Sequence, residues 1–180
     1  MNFLVVSLIF LSLSTSVFFI LMLHFMNKSR TDELTGLANY RYLKIYLKLN
    51  ANRKNIGLVI LDIDNFKEFN AISIHKGDEV LKEFSAALKT FFAKKAKIFR
   101  YRSGDEFALL FNDKSKEEII KEVCLSKIYF NDYTFKCLAD MQNYRINFCF
   151  GVSKLQSDVI NYESFFDLAE LELANAKRLK

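Results

Sequence analysis

The chain opens on an uninterrupted apolar run. From Phe3 to Met26 the positions are dominated by Leu, Phe, Val, Ile and Met, and no Asp, Glu, Lys or Arg occurs before Lys28. Coiled as a helix, such a run exceeds the ~20 apolar residues needed to cross the hydrocarbon core of a bilayer. A signal peptide or a buried core helix would be the other readings, but the run is long, lacks a basic leader and has no clear small-residue cleavage site. We therefore expect 3–26 to be a retained single-span anchor, with Lys28 and Arg30 holding the following chain on the cytoplasmic side of the inner membrane. Beyond Thr31 the pattern becomes mixed. A helix is expected around 39–49, and the apolar run GLVILDID (57–64) reads as a buried strand ending in acidic residues. In 78–95, Val80, Leu81, Phe84, Leu88, Phe91 and Phe92 recur on one helical face. IFRYR and FALLF flank Ser103-Gly104-Asp105-Glu106, the pattern of two strands joined by a tight turn in which Gly104 takes positive φ. A shorter helix over 115–123, a hairpin built from KIYF and YTFKC around Asn131-Asp132, a strand in RINFCFGV, and a last helix striped by Phe165, Leu168, Ala169, Leu173 and Ala176 complete the pattern.

This order predicts an α+β fold, an antiparallel sheet with helices packed on it in a ferredoxin-like arrangement. Nothing Pro-rich or Gly/Ser-rich divides 31–180, so the remainder reads as one domain. With 51% hydrophobic residues, no Pro and five Gly, a disordered or collagen-like chain is excluded. The 26 Lys and Arg against 21 Asp and Glu form no concentrated stripe, so nucleic acid is not an expected partner. Three cysteines, at 124, 137 and 149, have no metal-type spacing and are odd in number, which indicates neither a zinc site nor a disulfide framework.

Two acidic pairs lie at predicted strand ends: Asp62 and Asp64 close the first strand, and Asp105 and Glu106 sit in the hairpin turn. In a ferredoxin-like sheet those strands are neighbours. Carboxylates converging from adjacent strand ends make an all-oxygen site suited to Mg²⁺ and phosphates; singly, such residues serve as caps or solvated turns.

In DELTGLANYRYL (32–43), LDIDNFKEFN (61–70) followed by KGDEVL (76–81), and SGDEF (103–107), the chain resembles the GGDEF-domain diguanylate cyclases, which condense two GTP into cyclic di-GMP. NFCFGV and the last helix, with Ala169, Ala176 and Lys177, echo the family in the expected order. The resemblance implies a nucleotidyl-cyclase-type sheet and a GTP site. By it, Asp62, the Ile63 carbonyl and Asp105 hold magnesium, or manganese in its place. Lys67 contacts the triphosphate, Asn70 and Asp78 recognise guanine, and Lys177 reaches the phosphates. Glu106 either accepts the proton of the attacking 3′-hydroxyl or binds a second metal. Because each domain holds one GTP, the resemblance also implies a two-fold homodimer.

The match departs from the family at several positions. Ser103 stands for the first Gly of the signature turn, where a Cβ crowds close approach of the backbone to nucleotide. The run NAISIHKGD is one residue shorter than its family counterpart, with Ala71 and Ile74 in place of Asp and Gly. The stretch 94–97 reads KKAK where the product-inhibition motif would carry arginine and aspartate, so bidentate recognition of phosphate is missing there. The alternative to a cyclase is a non-catalytic module that binds GTP or a protein at the membrane. His24 and His75 read as an interfacial and a structural residue, Cys149 as a small buried hydrophobe, and Lys44 and Lys48 as a solvated face.

Overall fold

A computed structural model of the chain describes residues 3–50, 55–102, 104–141, 144–155 and 162–180. In chain order the elements are α1 (Phe3–Lys28), α2 (Tyr40–Leu49), β1 (Ile56–Ile63), α3 (Phe66–Ile72), α4 (Ile74–Phe92), β2 (Lys97–Arg100), β3 (Glu106–Asn112), α5 (Lys116–Asp132), a 3-10 turn (Lys136–Leu138), β4 (Phe148–Lys154) and α6 (Tyr162–Arg178). The four strands form one sheet in the order β2-β3-β1-β4, antiparallel at every pairing. This is the expected α+β, ferredoxin-like sheet.

All eight residues of β1 are buried, because this central strand carries helices on both faces. Side chains alternate between two cores, as the pleat requires. Val59, Leu61 and Ile63 of β1 join Phe84, Leu88 and Phe92 of α4 and Ile119, Val123 and Phe130 of α5. Leu58 and Ile60 join Leu43 and Leu47 of α2 and Phe165, Ala169 and Leu173 of α6 on the other face. Leu168, expected in the apolar stripe of the last helix, is instead 53% exposed, since the packed positions that follow it in α6, Ala169 and Leu173, are one and five residues further on.

The hairpin expected from KIYF and YTFKC does not form. Instead α5 runs through to Asp132, started by a capping box in which Ser115 and Glu118 each bond the other's backbone N–H. Its buried residues, Ile119, Val123, Ser126 and Phe130, keep helical spacing across the segment expected as a strand. Asn131-Asp132 is therefore the last helical turn, and Phe135 and Cys137 pack beyond it without a strand. A second difference is α3, a separate short helix between β1 and α4 with only Ser73 between them; that serine caps α4 by accepting the Lys76 N–H at 3.0 Å.

Helix α1 stands apart: its Val5–Leu23 stretch has a mean hydropathy of 2.4 and none of it is buried. Ser14, Thr15 and Ser16 return their hydroxyls to Leu11 and Ser12 carbonyls of the same helix, which makes these polar groups compatible with an apolar surrounding. The helix ends against the domain. Asn39, the N-cap of α2, donates its amide to the Ser29 carbonyl at 3.0 Å and the Thr31 carbonyl at 3.2 Å, and its backbone N–H to Arg30 at 2.8 Å. The three cysteines are free, with Cys124 exposed and Cys137 and Cys149 buried.

Candidate functional site

The site is built where β1 and β3 end together. Register places Asp62 opposite Glu106, and Asp105, one residue ahead of β3, accepts the Ile63 N–H on its carbonyl at 3.4 Å. Asp62 is only 8% exposed. Three carboxylates thus share one sheet end because each follows or opens an apolar strand that must stay in register. Burial, followed by the charge of Asp62, holds both the Asp105 and the Glu106 carboxyl above the usual carboxylate range.

Helix α6 brings the opposing charge. Lys177 Nζ lies 2.6 Å from Asp62 Oδ2, and one turn on, Lys180 pairs with Asp64. A cavity of about 530 Å³ opens here, lined by Asp62, Asp64, Lys67, Asp105, Cys149 and Lys177, among others. Ile63 lines it as well. Cys149 is buried in the core, as expected, and burial, with a hydrogen bond to Asp64, pushes its thiol pKa up and keeps it neutral.

The signature turn bends through left-handed backbone at Arg102 (φ 43°) and Gly104 (φ 86°); Gly is the residue that takes this conformation without a Cβ penalty. No atom lies within 4 Å of where a Gly104 Cβ would stand, so conformation, not space, is what the glycine supplies. Ser103 lies outside the described residues. Beneath the turn, the Arg100 guanidinium donates to the Gly104 carbonyl and stacks 4.6 Å over the Phe107 ring. Burial lowers its pKa, against the charges of Asp32 and Asp105. On the outer side, Tyr101 donates its hydroxyl to Glu170 of α6, which also pairs with Arg102 at 2.8 Å. Sequence reasoning assigned no role to Arg100 or Glu170; the alternation of Arg100 and Arg102 about a strand residue was the available signal.

Asn70 and Asp78 come from consecutive helices. An added Cβ on Gly77 would lie 2.0 Å from Asn70 Oδ1, so the Asn70 amide occupies the space that glycine leaves, beside Asp78. The shortened run thus sets Asn70, which is exposed, against the residue that precedes half-buried Asp78, and neither side chain lines the cavity at the strand ends. Lys67 is exposed on the first turn of α3. His75 is exposed and pairs with Glu79 at 3.4 Å. In the KKAK stretch, Lys95 is held by Glu122 at 3.0 Å and Lys97 stacks on Tyr46.

Among the described residues, no three His, Cys, Asp or Glu side chains are grouped as a metal-binding cluster. What the strand ends offer is two carboxylates, Asp62 and Asp105, on a cavity that Ile63 also lines. That all-oxygen set, with an ammonium already drawn onto Asp62, fits a hard divalent cation.

The family model described as diguanylate cyclase, GGDEF domain, matches residues 29–180. An uncharacterized membrane protein of Staphylococcus aureus (strain USA300) is 36% identical over 110 residues, covering 58% of this chain and 31% of that protein. The chain thus spans less than a third of that curated relative. The fold matches the crystal structure of the coiled coil and GGDEF domain of DgcB from Caulobacter crescentus in complex with c-di-GMP, with a TM-score of 0.84 at 22% identity over 98% of this chain and 95% of that one. It also matches diguanylate cyclase SiaD with its activator SiaC from Pseudomonas aeruginosa, with a TM-score of 0.75 at 23% identity over 97% and 68%.

Proposed function

The chain belongs to the diguanylate cyclase GGDEF-domain family, and from that premise we propose that it is a membrane-anchored diguanylate cyclase making cyclic di-GMP and pyrophosphate from two GTP. The observation that carries the reading is the convergence of Asp62 and Asp105 on a cavity that also presents Lys67 and Lys177. In this reading 3–26 anchors the chain, 31–180 is the catalytic domain in the cytoplasm, and two domains meet about a two-fold axis. The apolar, unburied α1 and a relative called a membrane protein support the anchor.

Asn70 and Asp78 select guanine: an amide and a carboxylate match the ring and exocyclic N–H groups, and a base lacking them leaves buried partners unpaired. Lys67 and Lys177 bind triphosphate oxygens, which requires Lys177 to exchange Asp62 for phosphate. Asp62, Asp105 and the Ile63 carbonyl would hold Mg²⁺ or Mn²⁺, which supplies Lewis-acid stabilisation of phosphoryl charge. The 3′-oxygen of one GTP attacks the α-phosphorus of the other, the P–O bond to the leaving pyrophosphate breaks, and the roles then reverse. Glu106, with its pKa raised by burial and Asp62, takes the proton of the attacking hydroxyl. Lysine ammonium groups around the cavity stabilise the charge that passes to pyrophosphate.

The second reading, a non-catalytic module, draws on the one-residue-shorter link that leaves only Ser73 between α3 and α4. Mass spectrometry of products from the detergent-solubilised full chain with GTP and Mg²⁺ separates the two. Cyclic di-GMP from the wild type and none from Asp105→Ala is the expected result. A folded dimer without product would establish the module reading, and calorimetry would then show whether it binds GTP.

A further inference from the structure

Helix α2 has an outer face that the GTP site does not use. Arg41, Lys44 and Lys48 are exposed along it, at the three- and four-residue spacing of a single helical side, while Leu43 and Leu47 are buried on the other side. From residue 34 to residue 61 the chain carries five Lys or Arg and no Asp or Glu. Leu49, at the end of the helix, leaves a large apolar side chain 78% exposed beside the cations. The nearest acidic residue before the helix, Glu33, stands 3.9 Å from Lys28.

The position of this face relative to α1 is fixed by the backbone. Asn39 ties the first turn of α2 to the carbonyls of Ser29, Arg30 and Thr31, the three residues that follow α1. Arg30 in turn stacks 5.3 Å from the Tyr42 ring. A ten-residue helix is about 15 Å long, so a helix that starts at the end of a membrane span keeps its cations within reach of the lipid headgroups. We propose that the outer face of α2 docks on the anionic phospholipid leaflet, with Arg41, Lys44 and Lys48 on the headgroups and Leu49 inserted among them. The occupant is the bilayer because the face combines cations that no ion pair among the described residues neutralises, Lys44 resting only on the Tyr40 ring at 4.7 Å, with an exposed apolar residue, and because its start is clasped to α1. Such docking fixes the tilt of the domain, and with it the direction in which the Asp62 cavity faces. The inference rests on the reading of α1 as an anchor.

The chain has no Trp, so Leu49→Trp in the full chain gives a single reporter. The protein is reconstituted in vesicles of phosphatidylcholine alone or mixed with phosphatidylglycerol, each with brominated acyl chains, and flotation is checked first. The expected result is a blue-shifted, bromine-quenched emission in the phosphatidylglycerol vesicles only, reversed by high salt and lost when Arg41→Glu, Lys44→Glu and Lys48→Glu are added. Water-like emission in both lipids from protein that floats would overturn the docking and leave the anchor standing. Failure to float would overturn the anchor and the docking with it. A shift that depends on protein concentration in neutral vesicles would assign the face to a second copy and overturn the lipid. Should the triple variant fail to fold, the salt titration of Leu49→Trp decides alone.

Discussion

Gly151 of β4 lies against the backbone of Ala169 in α6: a Cβ on the glycine would stand 2.1 Å from the Ala169 carbonyl oxygen and 2.3 Å from the Leu173 N–H nitrogen. The contact is backbone on both sides, so neither can swing aside. Gly151→Ala should lift α6 from the sheet and cost about 1–3 kcal/mol, the usual price of overpacking. Lys177 rides on the same helix, so turnover should fall with it. Urea unfolding checks the first effect and the cyclase assay the second; an unchanged midpoint would mean that α6 packs elsewhere.

Asp105 and Glu106 bind their protons more tightly folded than unfolded, because of burial and then Asp62. A carboxyl of this kind adds stability below its unfolded pKa and loses it as the pH rises through the higher folded pKa. At neutral pH both are therefore destabilising. Asp105→Asn should melt above the wild type at neutral pH without metal, with the difference shrinking on acidification. Mg²⁺ should raise the wild-type melting temperature and leave the variant unmoved, and the variant should make no product. A variant that melts lower at neutral pH would contradict the electrostatics.

Acid should also silence the wild type early. Since the folded pKa values of Asp105 and Glu106 lie above the ordinary carboxylate range, turnover should begin to fall at a higher pH than unperturbed carboxylates would give. A pH profile of kcat/KM at sub-saturating Mg²⁺, where the metal does not itself hold the carboxylates ionised, tests this.

In the proposed cyclase, guanine selection rests on Asn70 and Asp78. Asp78→Ala should raise KM for GTP and narrow its advantage over ATP, by roughly ten-fold or more for one lost buried hydrogen-bond partner. Gly77→Ala is the sharper probe, because the new Cβ displaces the Asn70 amide, at 2.0 Å, and asks only a few tenths of an ångström of the Phe66 ring, at 3.3 Å. Alanine is the better helix former, so the melting temperature should hold while KM rises. Unchanged KM in both variants would move guanine recognition to other residues.

Lys177→Ala leaves the nearly buried Asp62 without its ammonium. Half of that lysine side chain is in solvent, so the expected loss is about 1 kcal/mol. Added Mg²⁺ should restore the melting temperature if the cation takes the place of the ammonium, while product formation stays low.

The sheet was legible because its central strands are long apolar runs whose ends carry charge: GLVILDID and FALLF leave little choice of element or of register. The carboxylates of the site inherit that legibility, as they are the charged residues that close or open those apolar runs. Helix α5 differs from the sequence reading because Ile128, Tyr129 and Phe130 are β-branched and aromatic residues that suit a strand as well as a helix, and only the tertiary contacts of Ser126 and Phe130 decide between them. Asn70 against Gly77 was out of reach, since it depends on how two helices meet over one serine. Arg100 was equally hidden: a strand arginine reads as solvated until Phe107 and the Gly104 carbonyl are seen around it.

The Asn39 clasp leaves no slack between α1 and the domain, and the two turn together like a gear on its shaft. Each residue of α-helix advances about 100° around the axis and about 1.5 Å along it. One residue inserted before Ser29 would thus swing the Asp62 cavity by over a quarter turn relative to any face that α1 presents to a neighbouring α1. Seven would bring it almost back into phase. In the proposed membrane-anchored cyclase, the angular setting of α1 then becomes a variable that the catalytic face must obey, and a rotation within the bilayer is sufficient to bring two such faces into opposition or to part them.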